Sequence, residues 1–390
     1  MTDADRYERL RSISWWDPAR VRGARAIVAG AGALGNEVVK NLLMLGWGSI
    51  VLVDHDVVEL GNLTRSALLR PEDVGRPKVE VIAERGREFN ADCVIVPVLG
   101  DLRATLSAGM VERSDVVFGC VDNISARVAL GQLAGLSGAL FVDGGLTTWE
   151  GTVQVFSSRT EDEPCYACGL TEEDIRELTL RYSCLAYQEN ALAAGGLPTT
   201  PTVTSVISAV MVQEGLKWIH RGAHDMPLFV GSELRFDLAY ARSWVNRLPL
   251  NEECLVHWQR ALPVRDPEFG WTVGWDELVR RIADRLGVRS LTLRLPSRVL
   301  LGWNCLNCGA NADVFEVYAG DGRIPCSRCA EDVVPRFVSE VSGEEPWAAL
   351  TPQGMGFGPW TWLTTLAGDA TVVVELDGAD EPLADLWKRG

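Results

Sequence analysis

Apolar residues in this chain run in two rhythms, and the change from one to the other marks its organisation. The runs ARAIVAG, SIVLVDHD, DCVIVPVLG, DVVFGCVDN and ALFVDGG are short, unbroken and bounded by glycine or a carboxylate, as strands buried on both faces would be. Between them, VVKNLLMLG, KVEVIAERGREF and ARVALGQLAGLSG repeat their apolar positions every three or four residues, the period of a helix. Strands alternating with helices pair in parallel, so residues 23–150 predict a doubly wound α/β sheet of the Rossmann-like kind.

From Gly151 the pattern changes to alternation (GTVQVFSSRTEDEPCYAC), followed by an irregular crossover span at about 169–204. A long apolar helix, SVISAVMVQEGLKWIHRG, and one further strand in FDLAYARSWVNRL are then expected. Beyond residue 260 lies a β-rich tail that holds most of the nine tryptophans found past residue 240. One helix is expected in it, with Trp275, Leu278, Val279, Ile282 and Leu286 on a single face. The pattern predicts three parts: a helical segment at 1–22, an α/β domain at 23–259 and a β-rich domain at 260–390.

Length and charge narrow the function. A chain of 390 residues needs more than one core. A net charge of −16 argues against a partner held by phosphate contacts, so no nucleic acid is expected. No run of about 18 apolar residues suggests a membrane span, and the charged start has no secretory apolar core. A cytoplasmic protein is expected. In such a compartment, cysteines spaced C-x-x-C read as metal ligands before they read as disulfides.

Gly30, Gly32 and Gly35 form G-x-G-x-x-G between a strand and a helix, the arrangement that brings backbone N–H groups to a phosphate. Asp54, 19 residues past Gly35, stands where a carboxylate accepts ribose hydroxyls. Those two features alone also describe a dinucleotide-dependent oxidoreductase. Asn62 and Arg65 (GNLTR), then Lys78 (GRPK), add positive charge suited to a triphosphate. Asp122 and Asn123 (CVDN) end a later strand at the crevice edge, where a carboxylate suits Mg²⁺.

In this order, RYER, GAGALG, LVDHD, GNLTR, GRPK, CVDN and EPCYAC resemble the adenylyltransferase domain of the ThiF/MoeB type. Ubiquitin-activating enzymes share that domain with the activators of sulfur-carrier proteins in the molybdopterin and thiamine pathways. The resemblance covers roughly residues 5–258. It implies ATP as cosubstrate, with Asp54 on the ribose, Asn62 lining the site, Arg65 and Lys78 on the phosphates, and Asp122 on magnesium. It also implies a homodimer, because an arginine of the N-terminal segment reaches the partner's ATP site in this family; here that residue is Arg9, followed by Leu10 where the family has glutamine.

Two structural zinc sites are expected. Cys305-x2-Cys308 and Cys326-x2-Cys329, with 17 residues between that read as a hairpin, match a four-thiolate zinc ribbon. Cys165-x2-Cys168 falls where the resembled family has half of a zinc site, and Cys254-x2-His257 where it has the other half. Cys93 and Cys120 lie in strands and read as packing residues. Cys184, in the crossover span, is the candidate nucleophile, because ubiquitin-activating enzymes carry their thioester cysteine there.

The resemblance thus implies adenylation of the C-terminal carboxylate of a ubiquitin-like protein ending in glycine, then thioester transfer to Cys184 and onward to a conjugating enzyme. The alternative is activation of a sulfur-carrier-type protein that stops at the acyl-adenylate. The tail is expected to recognise the modifier or the next carrier. A compact activator with such a tail also resembles those of bacterial ubiquitin-like conjugation operons, some of which act in antiviral defence.

Overall fold

The computed structural model describes residues 6–157, 162–170, 199–254, 262–320, 324–367, 370–378 and Trp387. Eight strands form the first sheet: β1 (Arg25–Ala29), β2 (Ser49–Asp54), β3 (Val94–Leu99), β4 (Val116–Gly119), β5 (Leu140–Leu146), β6 (Glu150–Ser157), β7 (Ser232–Asp237) and β8 (Arg242–Arg247). Their order is β3-β2-β1-β4-β5-β6-β7-β8. The first five are parallel and the rest antiparallel. Strand order therefore reverses between β1 and β4, which opens a crevice at their C-terminal ends.

Successive residues of β1 serve opposite faces. Ala26 and Val28 pack with helices α2 (Ala33–Leu45), α3 (Lys78–Phe89) and α7 (Pro201–Ile219). Ile27 and Ala29 pack with α4 (Leu102–Thr105), α5 (Ala108–Arg113) and α6 (Ile124–Ser137). Because both faces are covered, the strands read as unbroken apolar runs.

Two elements differ from the sequence pattern. Among the described residues, the helical segment expected at 1–22 holds a single 3-10 turn, Leu10–Ser12, followed by the short α1 (Pro18–Gly23). None of that turn's residues is fully buried, so packing does little to extend it. FDLAYARSWVNRL bends between β7 and β8, because the Asp237 carboxylate accepts the N–H groups of Ala239 and Tyr240 at 3.1 and 3.2 Å.

The second sheet contains β9 (Val264–Gly270), β10 (Thr292–Asn304), β11 (Asn311–Val317), β12 (Val334–Val341), β13 (Trp362–Ala367) and β14 (Ala370–Asp377). Helix α8 (Trp275–Leu286) covers it with the expected face: Trp275, Leu278, Val279 and Ile282 are buried and Leu286 partly so. Among the described residues between the two cysteine pairs, none pair with one another as the expected hairpin; β11 pairs instead with the long β10, whose end runs straight into Cys305.

The two sheets are joined. Trp360 and Trp387 lie in the same core as β1, β2 and α5, so the tail completes the cover over one face of the first sheet. Trp387 donates from its indole nitrogen to Ser49 Oγ at 3.0 Å, and Ser107 donates to the Pro359 carbonyl at 2.5 Å. At the seam, Glu375 accepts from Arg113, Arg265 and Trp362.

Candidate active site

The glycine turn follows β1, beside the residues that follow β4. Gly30 has φ +99°, and a Cβ there would lie 2.4 Å from the Cys120 carbonyl oxygen. A Cβ on Gly35 would lie 1.8 Å from the Gly30 oxygen. These two glycines let β1, β4 and α2 close upon one another. Among the described residues, a Cβ on Gly32 would meet no atom within 4 Å. Gly32 caps α2 without a side-chain acceptor, so its helix N-terminus presents N–H groups to an anion.

Asp54, at the end of β2, turns back onto that loop. Its Oδ2 accepts the Ala31 N–H at 2.5 Å and its Oδ1 the Asp56 N–H at 2.7 Å. Lys78 begins α3 and is buried, with Nζ 2.7 Å from Asp56 Oδ2. The sequence pattern did not single out Asp56. Asn62 Oδ1 accepts the Glu59 N–H at 2.9 Å, and the Asn62 carbonyl accepts the Arg65 N–H at 3.1 Å. Arg65 is half-buried. Buried Asn36 on α2 accepts the Leu68 N–H at 3.1 Å, which ties the Arg65 segment to the helix that starts at the glycine turn.

Asn123 caps α6, its Oδ1 accepting the Ala126 N–H at 2.8 Å, and its amide donates to exposed Asp122 at 3.3 Å. Behind that loop lies a pair missed in the sequence, Arg127 on α6 and Asp143 on β5, joined Nη1 to Oδ2 at 2.5 Å. Burial pushes the Asp143 carboxyl up to about 6, while the Arg127 charge pulls it the other way. A carboxylate interrupting the apolar run ALFVDGG was the available signal.

Arg9 lies elsewhere. A Cβ on Gly46 would fall 2.6 Å from Tyr7 Cζ, so the Tyr7 ring sits against the C-terminal end of α2. The Tyr7 hydroxyl accepts from Asn90 Nδ2 at 2.7 Å, and Arg6 donates to the Phe89 carbonyl. Thirteen residues of α2, about 20 Å, separate that anchor from the glycine turn. Arg9 is exposed, two residues on from that anchor.

Two groups of cysteines converge. Cys305 and Cys329 lie 3.5 Å apart, Cys308 and Cys326 3.6 Å, and all four sulfurs lie within 4.8 Å of one another. Four thiolates at about 2.3 Å from a tetrahedral Zn²⁺ would stand about 3.8 Å apart, so this donor set fits. Cys165 Sγ is 3.8 Å from that of Cys168 and 3.7 Å from that of Cys254, which brings three of the second expected set together. His257 and Cys184 lie outside the described residues. Burial raises the Cys93 thiol to about 12 and pushes Cys120 higher, consistent with packing roles.

The family model described as "ThiF family" matches residues 7–256. The chain belongs to the ThiF family. Among ThiF relatives, the SAMP-activating enzyme E1 of Haloferax volcanii is 34% identical over 170 residues, covering 43% of this chain and 62% of that one. The molybdopterin-synthase adenylyltransferase of Escherichia coli is 28% identical over 217 residues, 55% of this chain and 81% of that one. Ubiquitin-like modifier-activating enzyme 5 of Drosophila grimshawi is 27% identical over 238 residues, covering 56% and 57%. The chain spans less than two thirds of the length of the SAMP-activating enzyme E1 and of ubiquitin-like modifier-activating enzyme 5. The crystal structure of E. coli MccB with ATP shares the fold at a TM-score of 0.53 and 19% identity, over 66% of this chain and 74% of that one. Among the described residues, no helix is long and apolar enough to cross a membrane.

Proposed function

We propose that this ThiF-family chain is an ATP-dependent enzyme that adenylates the C-terminal carboxylate of a ubiquitin-like protein ending in glycine. The carrying observation is the Gly32 helix N-terminus, whose loop Asp54 holds, together with the buried ammonium of Lys78, held by Asp56 two residues on. A redox dinucleotide has no need of that ammonium; a triphosphate being cleaved does.

In this reading Asp54 accepts the ribose hydroxyls, Asn62 and Asn123 line the nucleotide, and Arg65 and Lys78 hold the phosphates. Asp122 would hold a magnesium ion, which when bound neutralises phosphate charge. The incoming carboxylate forms its bond to the α-phosphorus as the bond to the β-phosphate oxygen breaks and pyrophosphate leaves. A carboxylate is already a nucleophile, so no side chain needs to take a proton, and positioning with fixed charge carries the step. The exposure of Arg9, two residues from the Tyr7 anchor at the C-terminal end of α2, supports its acting in a partner's crevice, and hence a homodimer.

The Cys184 sulfur then bonds to the acyl carbon, AMP departs and the thiol proton passes to solvent. A conjugating enzyme would take the acyl group onward. Cys305, Cys308, Cys326 and Cys329 would hold one zinc ion; Cys165, Cys168 and Cys254, with His257, a second. A relative named as a ubiquitin-like modifier-activating enzyme supports the ubiquitin-like substrate, and likeness to a molybdopterin-synthase adenylyltransferase supports the sulfur-carrier alternative.

Non-reducing electrophoresis after incubation with ATP, Mg²⁺ and a glycine-ended modifier tests the whole sequence. A thiol-sensitive adduct in wild type and not in Cys184→Ala supports the thioester. AMP and pyrophosphate without an adduct mean that the reaction stops at the adenylate, as for a sulfur carrier. Absence of all three products overturns the reading.

A further inference from the structure

The Arg127 guanidinium occupies the junction of three segments. Its Nη2 donates to the Val121 carbonyl at 2.9 Å, one residue before Asp122, and to the Gly144 carbonyl at 3.1 Å. Its Nη1 meets Asp143 Oδ2, and it also hydrogen-bonds to the Tyr166 side chain. Among the described residues nothing donates to Asp143 Oδ1, so Arg127 is the group that compensates this buried carboxylate. Gly119 permits the close approach, because a Cβ there would fall 2.6 Å from that oxygen.

Tyr166 is itself fixed. Its ring packs edge-on to Phe156 at 5.9 Å and tilted to Phe141 at 6.3 Å. It stands between Cys165 and Cys168 in the 3-10 turn Tyr166–Gly169, and a Cβ on Gly131 of α6 would lie 2.8 Å from its own Cβ. The cysteine-bearing turn, β5 and the Asp122 loop therefore meet on one planar cation. A lysine keeps the charge but offers no rigid fork to satisfy several separated acceptors.

We infer that Arg127 is a positioning residue for Asp122, braced by Asp143 and Tyr166, and that it sets the carboxylate's geometry toward the divalent cation. This rests on the adenylation reading of the same crevice. Arg127 does not touch the reacting atoms; it fixes the peptide from which Asp122 projects.

The test compares wild type, Asp122→Asn, Arg127→Lys and Tyr166→Phe. ATP–pyrophosphate exchange is measured against Mg²⁺ concentration, and Mn²⁺ binding in the presence of ATP is followed by electron paramagnetic resonance. Arg127→Lys is expected to raise the half-saturating cation concentration about tenfold in both assays, the lower end of what losing a ligand-supporting group costs. The KM for ATP at saturating Mg²⁺ should stay unchanged. Tyr166→Phe removes one oxygen and should shift the cation requirement in the same direction, which preserves the test if Arg127→Lys does not fold. Unchanged cation requirements in the folded variants, whatever their melting temperatures, overturn the inference while wild-type exchange keeps the adenylation reading intact. No exchange in wild type overturns the adenylation reading and this inference with it.

Discussion

Lys78 Nζ lies 2.7 Å from Asp56 Oδ2, while the Lys78 backbone N–H donates to the Asp56 carbonyl at 3.0 Å. Side chain and main chain of one residue are thus tied to the same neighbour, two residues past Asp54. The ammonium is aimed before any phosphate arrives, which lessens reorganisation during the reaction. Lys78→Met should lower kcat for ATP–pyrophosphate exchange by about 10²- to 10³-fold, the usual cost of one preorganised donor. A loss under threefold would mean that Lys78 only secures the start of α3.

Asp54 faces a different demand, because each of its oxygens already accepts a backbone N–H, from Ala31 and from Asp56. An asparagine keeps the shape but turns one acceptor into a donor that opposes an N–H. With about 1.5–3 kcal/mol for a hydrogen bond to a charged group, Asp54→Asn should raise the KM for ATP roughly 10- to 100-fold. Steady-state exchange at varied ATP measures this, and an unchanged KM would exclude Asp54 from the nucleotide site.

How much of this was legible follows from how local each relationship is. Gly30 to Gly35 and the Asp54 strand end are short patterns whose period fixes their element, and the parallel core was read from them. Cys305, Cys308, Cys326 and Cys329 carry their meaning in their spacing, and their sulfurs do converge. Contacts spanning long stretches were silent. Arg127 meets Asp143 across 16 residues, Arg113 meets Glu375 across 262, and Trp387 meets Ser49 across 338. Periodicity assigns each such side chain to a face but not to a partner. The tail therefore read as a recognition module, whereas Trp360 and Trp387 also pack into the first sheet's core.

The cysteine clusters make a stoichiometric prediction. Metal analysis of the purified chain should find two zinc ions, and Cys326→Ser should find one. The Arg328 N–H donates to the Cys326 sulfur and helps hold that thiol down to about 7, poised to bind as thiolate. Loss of this site should lower the melting temperature of the second sheet while exchange stays within a few-fold, since the apolar residues packed around the cluster all lie between Trp303 and Val333. A wild-type chain carrying no zinc would refute both sites.

Glu375 makes stability depend on pH in a calculable direction. Burial by itself would raise its pKa, but hydrogen bonds from Arg113 and Arg265 outweigh it and hold the carboxyl below its ordinary value of 4.5. The folded state therefore favours the carboxylate. The stabilisation it gives is complete above the unfolded-state pKa and is lost as pH falls through the lower native one. Glu375→Gln removes one of two carboxylates from Arg113, which keeps Glu112 at 3.8 Å and the Gly109 carbonyl at 3.0 Å, and should cost about 2 kcal/mol at pH 7, as for hydrogen bonds to a charged group. Denaturant unfolding of wild type and Glu375→Gln from pH 3 to 8 should give a constant gap above about pH 5 that closes below it. A gap that persists unchanged to pH 3 would show that the seam is held by Trp360, Trp362 and Trp387 packing rather than by this charge.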